Sequence, residues 1–456
     1  MNFDIRWLVA LIIFILGGIV FAFSRKKEIF LTRVLIFVMP FAVGFYYIAV
    51  SREEDAINAC DVILLILYIY WFWETDGFKT KRMYFDKIFY LYTAVIIWLL
   101  LPTAIVISPS SLLFAAFMWV KCLFLFFYIA NRVKTMEHLK AIVDILIIIL
   151  LIQALLGFLQ KILGHTLGLG FLGERSSVYL RGFSQARARG TLGFPNKYAA
   201  YMIMLMPLTV TMFIYSKKGI KKIWYSLVII LSSMGWIFSL SRSAWIGLVG
   251  ALVIIFIFMT KASKVNLKSF LMLLFMVAII STVIIYFADQ VMGRIEMTGD
   301  QPYRWIMMRK ALQLIGSHPI FGVGLWNYQF HSYGEFRYWH AVHNMILRLG
   351  AEIGIPGLLL FLAVIYKNFK NCLTALKFKN RYLEYTALGI MGGQLAFLLA
   401  ALFNPQFQSY RHKFLFWLLI GLSVSVKRIG LHEAYIEFKK RKKNEGSALL
   451  NKLPGI

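Results

Sequence analysis

Two histidines three residues apart, His340 and His343, close a long polar segment and stand just before an apolar run that opens at Asn344. An imidazole at such a boundary either anchors a helix end or serves as a base where membrane meets water. Gly350, Gly354 and Gly357 follow at helical spacing with Pro356 among them. That pattern suits close helix packing and a kink, which would fix the helix carrying His343. The histidine pair permits a metal reading, but Glu335 and Glu352 are the obvious further ligands and no metal or other cofactor is expected.

Three arginines share this kind of placement. Arg187 and Arg189 precede an apolar run opening at Pro195–Lys197, with proline near the first helical position, and Arg242 stands at the start of another. Guanidinium forks onto phosphate, stays ionised and tolerates partial desolvation better than lysine. A helix N-terminus adds free N–H groups and a positive dipole end. Three such starts, bearing Arg187 with Arg189, Arg242, and His343, would bind one diphosphate if their helices are neighbours; contact with lipid headgroups alone is the plainer alternative. The same surroundings disfavour imidazolium, leaving His343 neutral and able to accept a proton.

The elements that must position these residues are membrane spans. Of the 456 residues 60% are hydrophobic and 15% charged, the balance of a polytopic membrane protein. Roughly thirteen apolar runs can cross about 30 Å of hydrocarbon: near 7–23, 30–50, 56–73, 88–107, 112–130, 141–163, 197–215, 223–239, 243–259, 269–288, 344–366, 385–403 and 413–426. The run at 7–23 lacks a small-residue cleavage site and is expected to be retained. Cys60, Cys122 and Cys372 fall in or beside different spans, so no disulfide framework is implied.

A net charge of +28 would suggest nucleic acid in a soluble protein, but here the basic residues sit mainly in short loops and no nucleic-acid partner is expected. The segments 25–27, 79–87, 132–140, 217–222, 261–268 and 367–381 are basic, whereas 51–55 is net acidic and 108–111 uncharged. The positive-inside rule makes the basic set cytoplasmic, together with the tail carrying Lys439–Lys443. Two long loops then face outside. One, 164–196, carries Arg175, Arg181, Arg187 and Arg189 but no lysine; the other, 289–343, carries Arg294, Arg304, Arg309, Lys310 and Arg337. Within the second, Pro302 to Gly316 predicts a short interfacial helix with Trp305, Met308, Leu312 and Ile315 on one side and arginines toward headgroups. Among polar residues inside spans, Gln153, Gln160 and Gln394 suit helix–helix hydrogen bonds, Lys121 lies near mid-span and Asp144 near a cytoplasmic end.

Several of these motifs together resemble those of bacterial O-antigen ligases and the related polysaccharide polymerases. His343-Asn344, nine residues, then Gly354-x-x-Gly357 is similar to that family's histidine motif, with Leu358 and Leu359 where two threonines usually stand. Arg187 to Asn196 resembles its Arg-x-x-Gly…Pro-Asn segment, Ser239–Arg242 its Ser-Arg segment, and His318 to Gly324 the stretch preceding the histidine. The likeness spans about residues 180–360.

The resemblance implies an all-α, GT-C-like polytopic protein of about 12–13 transmembrane helices with a long helical outer loop. The implied activity is metal-independent, inverting transfer of a glycan from an undecaprenyl-diphosphate-linked donor to a lipid or glycan acceptor such as lipid A-core, as in lipopolysaccharide biosynthesis. The site would lie on the extracytoplasmic face of the cytoplasmic (inner) membrane, with membrane lipids around it. Carried over by position, His343 is the base, and Arg187 and Arg242 bind the donor diphosphate. Arg189 matches less well, and Arg304, Glu352 and Asn344 are supporting candidates. Polymerases often carry Arg-x10-Gly segments in the two outer loops; neither loop here does, which leans toward ligase. A transporter of lipid-linked glycans, the reading from another class, would concentrate polar residues and broken helices at the midplane, whereas here they lie in outer loops. The expected division is 1–163 (N-terminal helices), 164–288 (outer loop and arginine-bearing helices), 289–343 (long outer loop) and 344–456 (C-terminal helices and basic tail).

Overall fold

The computed structural model describes residues 24, 26–45, 57–75, 83–175, 186–261, 301–331 and 342–450. The expected spans at 7–23 and 269–288 lie outside the described residues, as do Arg181, Arg294, Glu335, Arg337 and His340. The helices are α1 (Lys27–Val38), α2 (Ala59–Glu74), α3 (Lys87–Leu100), α4 (Pro109–Arg132), α5 (Met136–Leu163) and α6 (Pro195–Tyr215). They continue as α7 (Ile220–Phe238), α8 (Arg242–Lys261), α9 (Gln301–Ser317), α10 (Met345–Ala375), α11 (Arg381–Ala401) and α12 (Tyr410–Leu450). Among the described residues nine helices are long and apolar enough to cross a membrane: α3 with its 3-10 extension, α4 to α8, and α10 to α12. The chain is therefore an all-α polytopic membrane protein.

Local chemistry sets the helix starts. Asn58 and Asp61 form a reciprocal capping box on α2, Asp86 caps α3, Ser108 precedes Pro109 on α4, and Thr135 caps α5. Two expectations are corrected. The run at 30–50 does not form one span, because Pro40 ends α1 after a single short helix and the chain turns into strand β1 (Gly44–Phe45). That strand pairs antiparallel with β2 (Ile57–Asn58), Gly44 opposite Asn58. The run at 56–73 starts only at Ala59 and spans 16 residues, about 24 Å at 1.5 Å per residue, short of a full crossing.

The most enclosed spans are α6, α11 and α12. Glycines let α11 approach its neighbours: a Cβ on Gly393 would strike the Met204 carbonyl oxygen of α6, and one on Gly247 of α8 would strike that of Ala396. Polar residues tie the bundle internally. Asn368 of α10 donates to Gln394 of α11 at 2.8 Å, the helix–helix bond expected of that glutamine, and Ser423 of α12 donates to Asn368 at 2.7 Å. Lys121 finds its partner in Asp61, at 2.8 Å, beside the Tyr410 ring.

The connections segregate by charge. At one end, Lys26 pairs with Glu137, Lys379 with Glu437, and Arg132 with both Glu28 and Glu74. This lysine end carries the connections that precede α5, α7 and α11. The opposite end gathers the β1–β2 hairpin, the segment 164–175, the arginine-bearing segment 186–194, the turn 239–241, residues 318–331 and the loop 402–409. Contacts among these include Ala42 with Leu172 and Thr191 with Pro40.

Candidate functional site

The candidate site residues are held at this arginine end by four local structures. The first is the segment 186–194. Arg187 and Arg189 are both buried there. The segment is sewn to α5 by two glutamines seven positions apart: the Gln160 Oε1 accepts from the Arg189 and Gly190 amides, and Gln153 exchanges hydrogen bonds with Thr191. Gln153 and Gln160 therefore bond a loop and not a neighbouring helix as expected, because the loop's amides lack partners of their own and approach α5 closely. Burial and the charge of nearby Arg175 press the Arg189 guanidinium below its usual pKa range.

The second is the turn between α7 and α8. Arg187 donates from Nε and Nη2 to the Ser239 carbonyl at 2.8 and 2.6 Å, and more weakly to that of Leu240 at 3.3 Å. It thus caps the C-terminal end of α7 with a positive charge, where the dipole favours one. Leu240 adopts φ +51°, a conformation uncommon outside glycine, and the turn delivers Arg242 to the first position of α8. Arg242 is half-buried, and among the described residues its side chain makes no hydrogen bond or ion pair.

The third is the start of α10. Asn344 is its N-cap, accepting from the Leu347 amide at 3.0 Å. His343 is consequently the last residue before the helix; it is half-buried, with Nδ1 shielded from solvent. Below it on α10, Arg348 and Glu352 form a buried ion pair at 2.9 Å.

This helix breaks at Gly354, whose φ of +71° and ψ of 176° interrupt the helical ladder. The carbonyls of Ala351, Glu352 and Ile353 are taken by the Val323 amide, the Gly324 amide and the Trp98 indole at 2.9, 2.9 and 3.0 Å. In return the Ile355 amide bonds to the Pro319 carbonyl at 2.8 Å. The segment from His318 to Gly324 therefore exists to fill the break, with Gly322 and Gly324 at positive φ to admit the close approach. The expected kink is present, and Gly354, not Pro356 alone, makes it.

The fourth is the loop 402–409 between α11 and α12, which the sequence reading missed. Asn404 bonds Ser243 of α8 and accepts from Asn196 of α6, and Gln406 donates to the Asn196 carbonyl at 2.8 Å. Pro405, Phe407 and Gln408 of the same loop line a small cavity with Met345, Arg348 and Glu352 of α10, and Lys413 lies at its wall, fully buried. This loop is the common neighbour of all three helix starts. Arg187 bonds the Ser239 and Leu240 carbonyls of the turn that leads to Arg242, and Met345 at the start of α10 shares a cavity with the loop. Arg411, likewise unforeseen, donates to the Thr191 carbonyl at 2.6 Å and adds another cation.

Arg304 stands on the exposed side of α9 beside Trp305. The inward side of that helix is Met307, Ala311 and Leu314, packed with Val323, Tyr328 and Val342; Trp305 and Leu312 of the predicted apolar side are exposed.

Residues 227–362 match the family model described as O-antigen ligase (Wzy_C). The matched part holds Arg242, the His318–Gly324 segment and the whole run from His343 to Gly357; Arg187 and Arg189 precede it. No curated protein matches the chain.

Proposed function

Taking the chain as a member of the O-antigen ligase and polymerase family, we propose that it is a membrane glycosyltransferase of the ligase type. It moves a glycan as one piece from undecaprenyl diphosphate to an acceptor hydroxyl such as that of lipid A-core, at the outer face of the cytoplasmic membrane. The observation that carries this reading is the approach of three helix starts to loop 402–409: that of α6, which follows the segment holding Arg187, that of α8, which bears Arg242, and that of α10, which His343 precedes. Family membership supplies the kind of substrate; the charge segregation supports the sidedness through the positive-inside rule.

In the reaction, the acceptor oxygen attacks the anomeric carbon while the bond from that carbon to the diphosphate breaks, inverting the centre. The acceptor proton passes to the neutral imidazole of His343. Negative charge grows on the departing diphosphate, and Arg242, whose guanidinium makes no hydrogen bond or ion pair among the described residues, meets it at a helix N-terminus. Arg187 shapes the same turn and lends its charge, with Arg189 behind it. Asn344 aims His343, Glu352 with Arg348 stiffens the helix below, and Arg304 contributes from α9 at the rim. The diphosphate brings its own activation, so the mechanism calls on no metal or cofactor.

The test is transfer by purified protein from a lipid-diphosphate-linked glycan. His343→Ala is expected to abolish product while the protein stays monodisperse in detergent; full activity in that variant would exclude the base assignment. Supplying lipid A-core or a second lipid-linked glycan as sole acceptor separates ligase from polymerase, and a product only with the latter would make the enzyme a polymerase.

A further inference from the structure

The lysine end carries a second polar site, remote from the arginine end. Between α1, α5 and α7 lie two adjoining cavities of about 440 and 320 Å³, which share Arg33 and Asp144 in their walls. Lys221 borders the larger and Lys140 the smaller. Lys26 and Glu137, also on the smaller cavity, already satisfy one another.

The remaining charges are unbalanced. Asp144 faces Arg33, Lys140 and Lys221, yet none of these forms an ion pair with it among the described residues. Among the described residues Arg33 makes a single weak hydrogen bond, from Nε to the Ala141 carbonyl at 3.4 Å. Charged side chains on membrane helices ordinarily find a partner or a water-filled cavity, because hydrocarbon cannot solvate them. Here three cations and one carboxylate stand around open space, and the excess is positive. The adjoining wall is apolar and outward-facing: Ile148 and Trp224 are exposed beside Ile145.

We infer that this is a binding site for the headgroup of an anionic phospholipid. Its phosphate lies between Arg33 and Lys221 with Lys140 nearby, and an acyl chain runs along Ile145, Ile148 and Trp224. Asp144 offsets part of this positive charge and leaves a net excess, so that the site takes a singly or doubly charged phosphate group and not a neutral headgroup. Basic pockets between membrane helices on the cytoplasmic side recognise lipid headgroups through this chemistry.

The experiment titrates the full-length protein in detergent with phosphatidylglycerol or phosphatidylcholine and reads retained lipid by native mass spectrometry. Phosphatidylglycerol is expected to be retained at least about tenfold more, and Arg33→Gln with Lys221→Gln to reduce its retention about thirtyfold, each basic group contributing about fivefold. Lys217→Gln with Lys218→Gln, which removes the same charge from the same end outside the cavity, should leave retention unchanged. Equal retention of the two lipids, or an equal loss in the 217/218 variant, overturns the proposal. Inorganic phosphate should not displace the lipid; displacement would mean a free-anion site and overturn the lipid assignment. Should the double variant fail to fold, Lys221→Gln alone, at an exposed position without a side-chain hydrogen bond among the described residues, carries the same comparison.

Discussion

Arg187 holds the carbonyl of Ser239 with both Nε and Nη2, so the residue expected to grip a diphosphate is also the cap of α7. Its two duties are separable by comparison with Arg242, which stands past the same turn and makes no side-chain hydrogen bond or ion pair among the described residues. Arg187→Ala strands buried carbonyls, at about 1–3 kcal/mol. It is therefore expected to lower the unfolding temperature in detergent and to weaken donor binding together. Arg242→Ala should weaken donor binding with the unfolding temperature held. If Arg242→Ala instead destabilises the protein and leaves donor affinity intact, the diphosphate assignment is wrong.

Gly354 leads to a second prediction. Any side chain there faces both a φ of +71° and the Ile320 carbonyl oxygen, which would overlap a Cβ. Backbone cannot retreat, since Pro319, Val323 and Gly324 are hydrogen-bonded to either side of the break. Gly354→Ala should therefore leave little folded protein in the membrane fraction. Gly350→Ala meets only the flexible end of Ile315, at 3.0 Å, and should accumulate near the normal level. Comparable yields of the two variants on size exclusion would show that the break is not required.

Much of this architecture was legible beforehand because its signals are local. Pro195 and Asn344 announce helix starts by residue type, and the arginine-for-lysine exchange marks one set of loops. What escaped notice is long-range. Nothing near Lys121 points to Asp61, sixty positions earlier, and nothing about Gln153 or Gln160 reveals that they bond a loop. Asn404 and Gln406 sit in a short connection with no motif, although two polar amides between apolar spans were a visible hint of a task. The 30–50 run misled because its hydropathy outweighed Pro40, whose ring could have been taken as the end of the helix.

The Lys121–Asp61 pair can be tested as a unit. Both groups are largely enclosed, and Asp61 also accepts from Tyr410 at 3.0 Å and from the Asn58 amide at 2.9 Å. Removing Lys121 leaves an uncompensated carboxylate, so Lys121→Met should cost about 3–5 kcal/mol. Adding Asp61→Asn should recover much of that loss, because the amide keeps an acceptor for Tyr410 without the charge. Thermal unfolding of the single and double variants measures the recovery; additive losses would show that charge pairing is not what binds the two.

Asn344 tests whether the histidine motif works by chemistry or by aim. Its side-chain oxygen caps α10 at the Leu347 amide, which makes it a positioning residue for His343. A cap is interchangeable among Asn, Asp and Ser, whereas loss to alanine costs about 1 kcal/mol. Asn344→Ala is therefore expected to lower kcat for glycan transfer by an order of magnitude or so, by loosening the helix start, with a smaller change in KM. Asn344→Ser should restore most of the rate. A serine variant as slow as alanine, with its fold intact, would mean that the amide itself touches substrate. Asn344 would then join His343 among the reacting groups.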